Sequence, residues 1–330
     1  MPLINNYYGN VDTPQLCKQV DNLKVVAANG LKAFLTWSAP TIDEDSSFVG
    51  TRIVRKVGSV PINVNDGTVV YEGTELTYTD TGLTKGTTYY YRAFAYNIKM
   101  AYQTAMRAVS MTIISYESNF ADNTWDIIIN ACHSGKVPDT WVVGDSKTMT
   151  IDGVNYQFDI VGKNHDTYTA GGIAPLTFGL HDCYGTKYQM NSSDTNSTGW
   201  DGSKMRTETL PAILAKMPVN IQNGIRPVNK LTTTSGSDST IKTASDKLFT
   251  FSQTEVYGNT SNSNSGEGKQ YDYYKAGNSK VKKVGDTASY WWLRSPYADN
   301  KISFCAVTTG GSASGLYASQ SQGVCFGFCF

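Results

Sequence analysis

The sequence predicts a mostly β chain, a β-sandwich followed by an α+β C-terminal domain, and three observations predict it. Residues 17–115 hold short runs with an apolar side chain at every second position and no helical period. After residue 115 two amphipathic helical stretches stand among further alternating runs. At the end, Val324, Phe326, Phe328 and Phe330 alternate with Cys325, Gly327 and Cys329. Large residues on one face and small ones on the other mean burial on both sides, which makes this a central strand.

The elements follow in order. LKAFLTWSAP sets Leu31, Ala33, Leu35 and Trp37 on one face and stops at Ala39-Pro40. TRIVRKVGS is the next strand, with turn chemistry at Asn65-Asp66-Gly67. GLTKGTTYYYRAFAYN opposes Tyr89, Tyr91, Ala93 and Ala95 to Tyr90, Arg92, Phe94 and Tyr96. Beyond the boundary, Ile127, Ile128, Ala131 and Cys132 mark a helix that ends at Ser134-Gly135. KTMTIDGVNYQFDIVGKN reads as a hairpin turning at Asp152-Gly153. A second helix runs from about Ser203 to Ala215 and is closed by Pro218. Residues 231–241 read as a flexible loop and 258–286 as a longer polar excursion. The rest is strand-like: SYWWLRSPY, ISFCAVTT and GVCFGFCF. In the first of these Trp291 and Trp292 alternate, which predicts one of them in the core. The domains are therefore 1–16, an attachment segment; 17–115, the sandwich; and 116–330.

Lys plus Arg equals Asp plus Glu, 28 each, which argues against a surface that holds phosphate backbones or anionic membranes by charge. Only 17% of residues are charged, while Tyr numbers 21 and Gly 30, a mixture suited to extracellular β-proteins and to binding surfaces. No window is apolar enough to span a membrane, and MPLINNYYGN lacks the basic and apolar regions of a secretory signal.

Chemistry is scarce. The cysteines Cys17, Cys132, Cys183, Cys305, Cys325 and Cys329 form no CxxC pair and read as buried free thiols. Cys325 and Cys329 are too far apart on an extended chain to bridge, and a bridge from Cys305 to either stays open. His133, His165 and His181 have no ligand-spaced companions and read as satisfied loop or surface residues. No GxSxG, phosphate loop or HExxH occurs. A latent carbohydrate-processing activity would need paired carboxylates, for which Asp182 and Asp194 are the best candidates. Lys275, Lys280, Lys282 and Lys283, offset by Glu267, Asp272 and Asp286, read as a solvated strand or loop. The chain is expected to be no enzyme, with no catalytic residues, no metal and no cofactor. Calcium stays open in loops carrying Asp194, Asn196 and Asp201.

From Pro296 to Phe330 the only charged residues are Asp299 and Lys301. Small and polar residues lie there between two apolar frames, and two readings stand: a plain polar loop, or a binding face whose stiff frame absorbs the ordering cost.

Two resemblances bear on this. LTWSAP with Trp37, and Leu83 followed by Tyr89, resemble the fibronectin type III family, with Lys85 where that family often has proline. This implies a β-sandwich spacer whose Tyr89 phenol bonds upstream backbone. The run WWLRSP, then FCAV, a glycine and a final GVCFGF resemble the C-type-lectin-fold variable proteins of diversity-generating retroelements. Residues from Trp200 to Tyr257 also resemble an uncharacterised domain of phage and gut-bacterial proteins, which usually closes with Gly-Val-Arg-Pro where this chain has Gly323-Val324-Cys325-Phe326. The resemblance implies a C-type-lectin-like mixed α/β domain with a variable region at about 297–322. Its ligand-binding face would comprise Ile302, Ser303, Ala306, Thr308, Thr309, Ser312, Ser314, Gly315, Leu316, Tyr317 and Ser319. It further implies a phage tail-tip or fibre protein that binds a host cell-surface protein or glycan, contacts other virion tail proteins and forms a homo-oligomer, a trimer by analogy. No nucleic-acid partner and no membrane insertion are expected. The alternative is a bacterial surface or secreted adhesin of the same fold.

Overall fold

The computed structural model describes residues 17–28, 31–40, 48–103, 108–113 and 116–330. The attachment segment expected at 1–16 lies outside the described residues. Strands hold 43% of the described residues and helices 13%, a mostly β fold with a minor helical part. The chain divides into two compact units, residues 1–115 and 116–330.

The first unit contains β1 (Asp21–Ala28), β2 (Lys32–Ser38), β3 (Phe48–Val57), β4 (Thr68–Gly73), β5 (Thr77–Asp80), β6 (Thr88–Asn97) and β7 (Ala108–Thr112). They form two antiparallel sheets, in the orders β1-β2-β5 and β4-β3-β6-β7. Ala33, Leu35 and Trp37 from one sheet pack with Ile53, Tyr89, Tyr91 and Ala93 from the other, the burial that period-two alternation requires. Leu31 departs from its expected face. It sits in the turn before β2 at φ 40° and is 40% exposed. Asp80, at the end of β5, ties the sheets together. Arg55 Nη1 of β3 reaches both its oxygens at 2.9 Å, and the Tyr91 hydroxyl of β6 donates to it at 2.8 Å.

The backbone N–H of Thr84 donates to the Tyr89 hydroxyl at 3.0 Å, beside the buried Leu83, the contact that the fibronectin type III resemblance implied. Tyr89→Phe removes that acceptor without changing shape. It is expected to cost about 1 kcal/mol and so to lower native-state amide protection in β6 by roughly fivefold. Unchanged protection would remove the corner from the sandwich's support.

In the second unit α1 (Trp125–His133) is capped by the Thr124 side chain, which accepts from Ile127 N. It buries Ile128, Ala131 and Cys132 and stops where Gly135 takes a positive φ. β8 (Ser146–Ile151) and β9 (Val154–Lys163) turn at Asp152 and Gly153, both at positive φ as a two-residue type I′ turn demands. β10 (Leu176–Leu180) and the short β11 (Tyr188–Gln189) follow. The second helical stretch is α2 (Leu210–Leu214), preceded by a π-turn at Met205–Thr209. Pro211 has no N–H to give the carbonyl four residues back, and the ladder widens there, with Leu210 N bonding Met205 O.

Next come α3 (Val219–Gly224), β12 (Val228–Ser235), β13 (Asp238–Asp246), β14 (Phe249–Thr250), α4 (Gln253–Tyr257) and α5 (Asp272–Lys275). The chain closes with β15 (Lys282–Val284), β16 (Thr287–Ser289), β17 (Trp291–Pro296), β18 (Ser303–Val307), β19 (Ala313–Tyr317), β20 (Ser321–Gln322) and β21 (Phe326–Cys329). The main sheet has the order β14-β21-β10-β9-β8, so the final strand is internal, as its two-sided pattern required. Phe158, Phe178 and Phe328 pack with ring centroids 5.3 Å apart at each contact with Phe328. The Tyr168 hydroxyl donates to the Phe330 carbonyl.

The loop expected at 231–241 is instead the antiparallel hairpin β12–β13. Its threonines are β-branched and favour extended backbone, so polarity alone misled. The polar excursion at 258–286 likewise supplies buried Glu267 and Tyr271 to the interior. Lys282, expected in solvent, is 2% exposed. Its ammonium donates to the carbonyls of Leu180 and His181 at 2.6 and 2.7 Å, where a mobile charge would otherwise meet bare backbone.

Candidate functional site

A three-stranded antiparallel sheet, β17-β18-β19, carries the face singled out in the sequence. Every residue of β17 and β18 is buried. Trp291 and Trp292 are both fully buried, correcting the expectation of one, because both faces of β17 are covered. Their indole N–H groups donate to Lys280 O at 2.9 Å and Tyr188 O at 2.8 Å. β19 is the outer strand, half-buried until Tyr317, which is 52% exposed.

Ser303 and Ala306 do not lie on an open face: they are 5% and 0% exposed, because β18 is the middle strand of this sheet. The pairing sets Ser303 opposite Tyr317, Cys305 opposite Gly315 and Val307 opposite Ala313 on one side. Phe304 opposite Leu316 and Ala306 opposite Ser314 fall on the other. Gly315 and Tyr317 thus share one side of β19, and Leu316 shares the other with Ser314. Thr308 is occupied in the turn, where its hydroxyl accepts from Ser312 N at 3.0 Å and Gly310 N at 3.3 Å. Thr309 and Ser312 are exposed at the tip, and Ile302 and half-buried Ser319 flank the base.

Beside β19 opens a groove of about 480 Å³, lined by Asn262, Tyr297, Asn300, Ser303, Ala313, Ser314, Gly315 and Tyr317. Gly315 matters here. A Cβ at that position would lie 2.1 Å from the Tyr297 ring, so the ring reaches its place only because residue 315 lacks a side chain. Asn262, Tyr297 and Asn300 were missed as site residues. The one available signal was a large aromatic directly after WWLRSP facing a small residue across the strands.

Asn196, weighed as a cation ligand, is a buried strut instead. Its Nδ2 donates to Asn300 O at 2.8 Å and Ser303 O at 2.7 Å. Asn300 Oδ1 in turn accepts from Ile302 N at 2.7 Å and Ser303 N at 2.9 Å, fixing the entry to β18. Asp194 accepts from Ser319 N at 3.0 Å, and Asp201 faces Arg206 at 3.9 Å. Among the described residues no three His, Cys, Asp or Glu side chains gather at a metal position.

Behind the face lies a buried ionic network. Arg294 of β17, wholly buried, pairs both oxygens of Glu255 of α4, at 2.5 and 2.9 Å, and reaches Thr250 O and Leu231 O. Lys230 of β12 bridges Glu255 at 2.6 Å and Asp166 at 2.8 Å. Asp166 also accepts from Tyr271 at 2.7 Å and Thr177 at 2.6 Å. Burial pushes the Asp166 carboxyl up, but the charge of Lys230 and these hydrogen bonds outweigh it and bring it down to about 2. Glu255 is likewise held low, burial being overcome by Arg294 and Lys230. Glu267 differs. Its Oε1 accepts from Thr233 N at 2.7 Å and the Thr233 hydroxyl at 2.9 Å, and burial raises its pKa against the opposing effects of Ser295, Arg294 and Thr233. Two cations and two carboxylates held low balance, and Glu267 is a third carboxyl in the same interior, held above its ordinary range by burial.

The remaining reactive groups are engaged. All six cysteines are free and buried, which closes the question of a bridge from Cys305, and burial raises each thiol's pKa, as at Cys183. His133 shares a hydrogen bond with Gly224 O at 2.8 Å, and His165 stacks on Tyr271 at 3.9 Å between centroids. His181 Nδ1 lies 2.8 Å from Asp159. Asp182 accepts from Lys283 N rather than standing paired with Asp194.

Comparison with known proteins adds little to this geometry. Residues 176–329 match a family model described as a domain of unknown function, DUF6273. No curated protein matches. Among solved structures, the spore cortex lytic enzyme SleM of Clostridium perfringens is 15% identical over 32% of this chain and 31% of its own, at a TM-score of 0.24. A computationally redesigned β-sandwich protein is 24% identical over 30% of this chain and 98% of its own, at 0.25. The pectate lyase PelI of Erwinia chrysanthemi is 18% identical over 28% of each chain, at 0.23. The chain thus spans about a third of SleM, and likeness at these TM-scores bears on neither fold nor function.

Removing one partner of the network leaves an unpaired buried charge, so Glu255→Gln is expected to cost about 3–5 kcal/mol at neutral pH. The low carboxyls of Asp166 and Glu255 contribute stability above their unfolded values, and this stability is lost as pH falls toward about 2. Glu267 runs the other way. Its raised pKa favours the fold at pH below the unfolded carboxyl value and penalises it as pH rises through the folded value. Glu267→Gln should therefore raise Tm by a few degrees at pH 7 and leave it unchanged near pH 4. A Tm lowered at pH 7 would contradict a Glu267 carboxyl held above its ordinary range.

Proposed function

We propose that this chain is a non-enzymatic ligand-binding protein whose outer strand β19, with the β18–β19 turn, is the recognition face. The observation that carries the reading is a contrast within one sheet. β17 and β18 are wholly buried, while Thr309 and Ser312 of the β18–β19 turn and Tyr317 of β19 are exposed beside a groove of about 480 Å³. A face of small and tyrosine side chains on a stiff frame recognises by shape and hydrogen bonding, without ordering loops on contact. Affinity per copy is low on so few exposed residues, and several copies on one particle would add avidity.

The finer reading follows from the sequence. The face is diversified by a retroelement, and the chain serves a phage tail tip or fibre that binds a host cell-surface protein or glycan. The sandwich of the first unit is then a spacer. The other class is a surface or secreted adhesin of fixed sequence.

Sequencing the gene and its surroundings across a population that carries it separates the two. Diversification predicts substitutions confined to about 297–322, at adenines of a nearby repeat and beside a reverse transcriptase. They should concentrate at exposed positions such as Thr309, Ser312 and Tyr317 and spare Phe304, Cys305 and Val307. A uniform gene without a repeat would sink the diversified reading and leave the adhesin.

A further inference from the structure

A second concave site lies in the same unit and shares no residue with the β19 groove. It is a cavity of about 380 Å³ whose wall includes Asn155, Tyr156 and Gln157 of β9, His181 and Asp182 after β10, and Lys283 of β15. Its wall is fixed from behind. The Lys282 ammonium holds the carbonyls of Leu180 and His181, and His181 N donates to Gln157 O at 2.9 Å. Cys183 N donates to Lys283 O at 2.8 Å, and Lys283 N donates to Asp182 at 2.8 Å. Pre-ordered walls of this kind lower the entropic cost of binding a small ligand.

Within the wall several polar groups are left over. His181 Nδ1 is taken by Asp159, which is 3% exposed, so the imidazole is oriented and its Nε2 has no partner among the described residues. The Lys283 ammonium is exposed and has none either. Asn155 uses Oδ1 to accept from Thr150, which leaves its amide donors unused. Tyr156, stacked on Tyr184 at 4.9 Å, offers an aromatic wall.

We propose that this cavity binds a carboxylate-bearing sugar, the carboxylate meeting His181 and Lys283 and the hydroxyls meeting Asn155, Gln157 and Asp182. The charges select a monoanion. His181 as imidazolium, Lys282 and Lys283 face Asp159 and Asp182, one positive charge in excess, which a monoanion matches better than a dianion such as phosphate. Amides, a carboxylate and a tyrosine wall suit vicinal hydroxyls and sugar C–H faces better than a peptide side chain. The groups facing His181 are Asp159 and Gln157 from β9, Asp182 on its own loop, Lys282 and Lys283 from β15, and Tyr273, which bonds Asp159. The hydrogen bond to Asp159 raises the His181 pKa against the opposing effect of burial, so the imidazolium persists to higher pH than that of a free histidine. Binding therefore strengthens as pH falls.

The test is calorimetric or NMR titration of the full chain with glucuronate and with N-acetylneuraminate at pH 5.5 and pH 8.5. The expected result is saturable binding of at least one acid at pH 5.5, about tenfold weaker at pH 8.5. It should be lost in His181→Gln and be about tenfold weaker in Lys283→Ala, whose exposed position leaves folding intact. No saturable binding of either acid would overturn the proposal, as would binding unchanged in both variants. Equal binding of neutral glucose would remove the carboxylate from recognition, and equal binding of acetate or inorganic phosphate would remove the sugar.

Discussion

Two buried cations, Arg294 and Lys230, meet two ionised carboxylates, Glu255 and Asp166, inside the second unit, and most of that unit is arranged around satisfying them. The partners come from β12, α4, β17 and the segment after β9, with Thr177 of β10 and Tyr271 closing the remaining lone pairs. A desolvated ion pair of this kind adds little net stability over a well-packed apolar core. Its demand is geometric, since each charge is tolerated only if every partner arrives. That demand fixes β17 against β12 and α4, and β17 in turn carries β18 and β19. The proposed recognition face thus rests on a frame held from behind, by side chains it does not itself supply.

The same logic separates the positions of the C-terminal region. Phe304, Cys305, Ala306 and Val307 are fully buried, and their side chains are set by packing. Asn196, Asn300 and Thr308 are committed to backbone groups that shape the entry and turn of the hairpin. Of the residues expected on the face, Ile302, Thr309, Ser312 and Tyr317 stand in the open, with Ser314, Gly315, Leu316 and Ser319 half-covered.

Much of the fold was legible in the sequence because period-two alternation reports burial directly. Ala33, Leu35 and Trp37 and the internal position of β21 follow from it, and the Asp152-Gly153 turn follows from its own turn chemistry. It failed where burial was polar. The threonines of β12 and the carboxyl of Glu267 look like solvent-facing residues, and only the fold shows that they bond each other. Lys282 and Arg294 were misjudged or passed over for the same reason, since a charge reads as surface until its buried partners are known. The proposed binding face was legible as a region but not residue by residue. Composition marks 297–322 as small and polar, yet strand pairing decides which side each residue takes, and it sent Ser303 and Ala306 inward.

The central claim is that the exposed residues of this hairpin are dispensable for folding while the network behind them is not. The most direct measurement is thermal unfolding of a chain with Ile302, Thr309, Ser312 and Tyr317 all replaced by Asn. The account predicts a single cooperative transition with Tm lowered by no more than about 4 °C. A loss of more than about 10 °C, or a broadened transition, would place these side chains in the fold's support and contradict a frame held from behind.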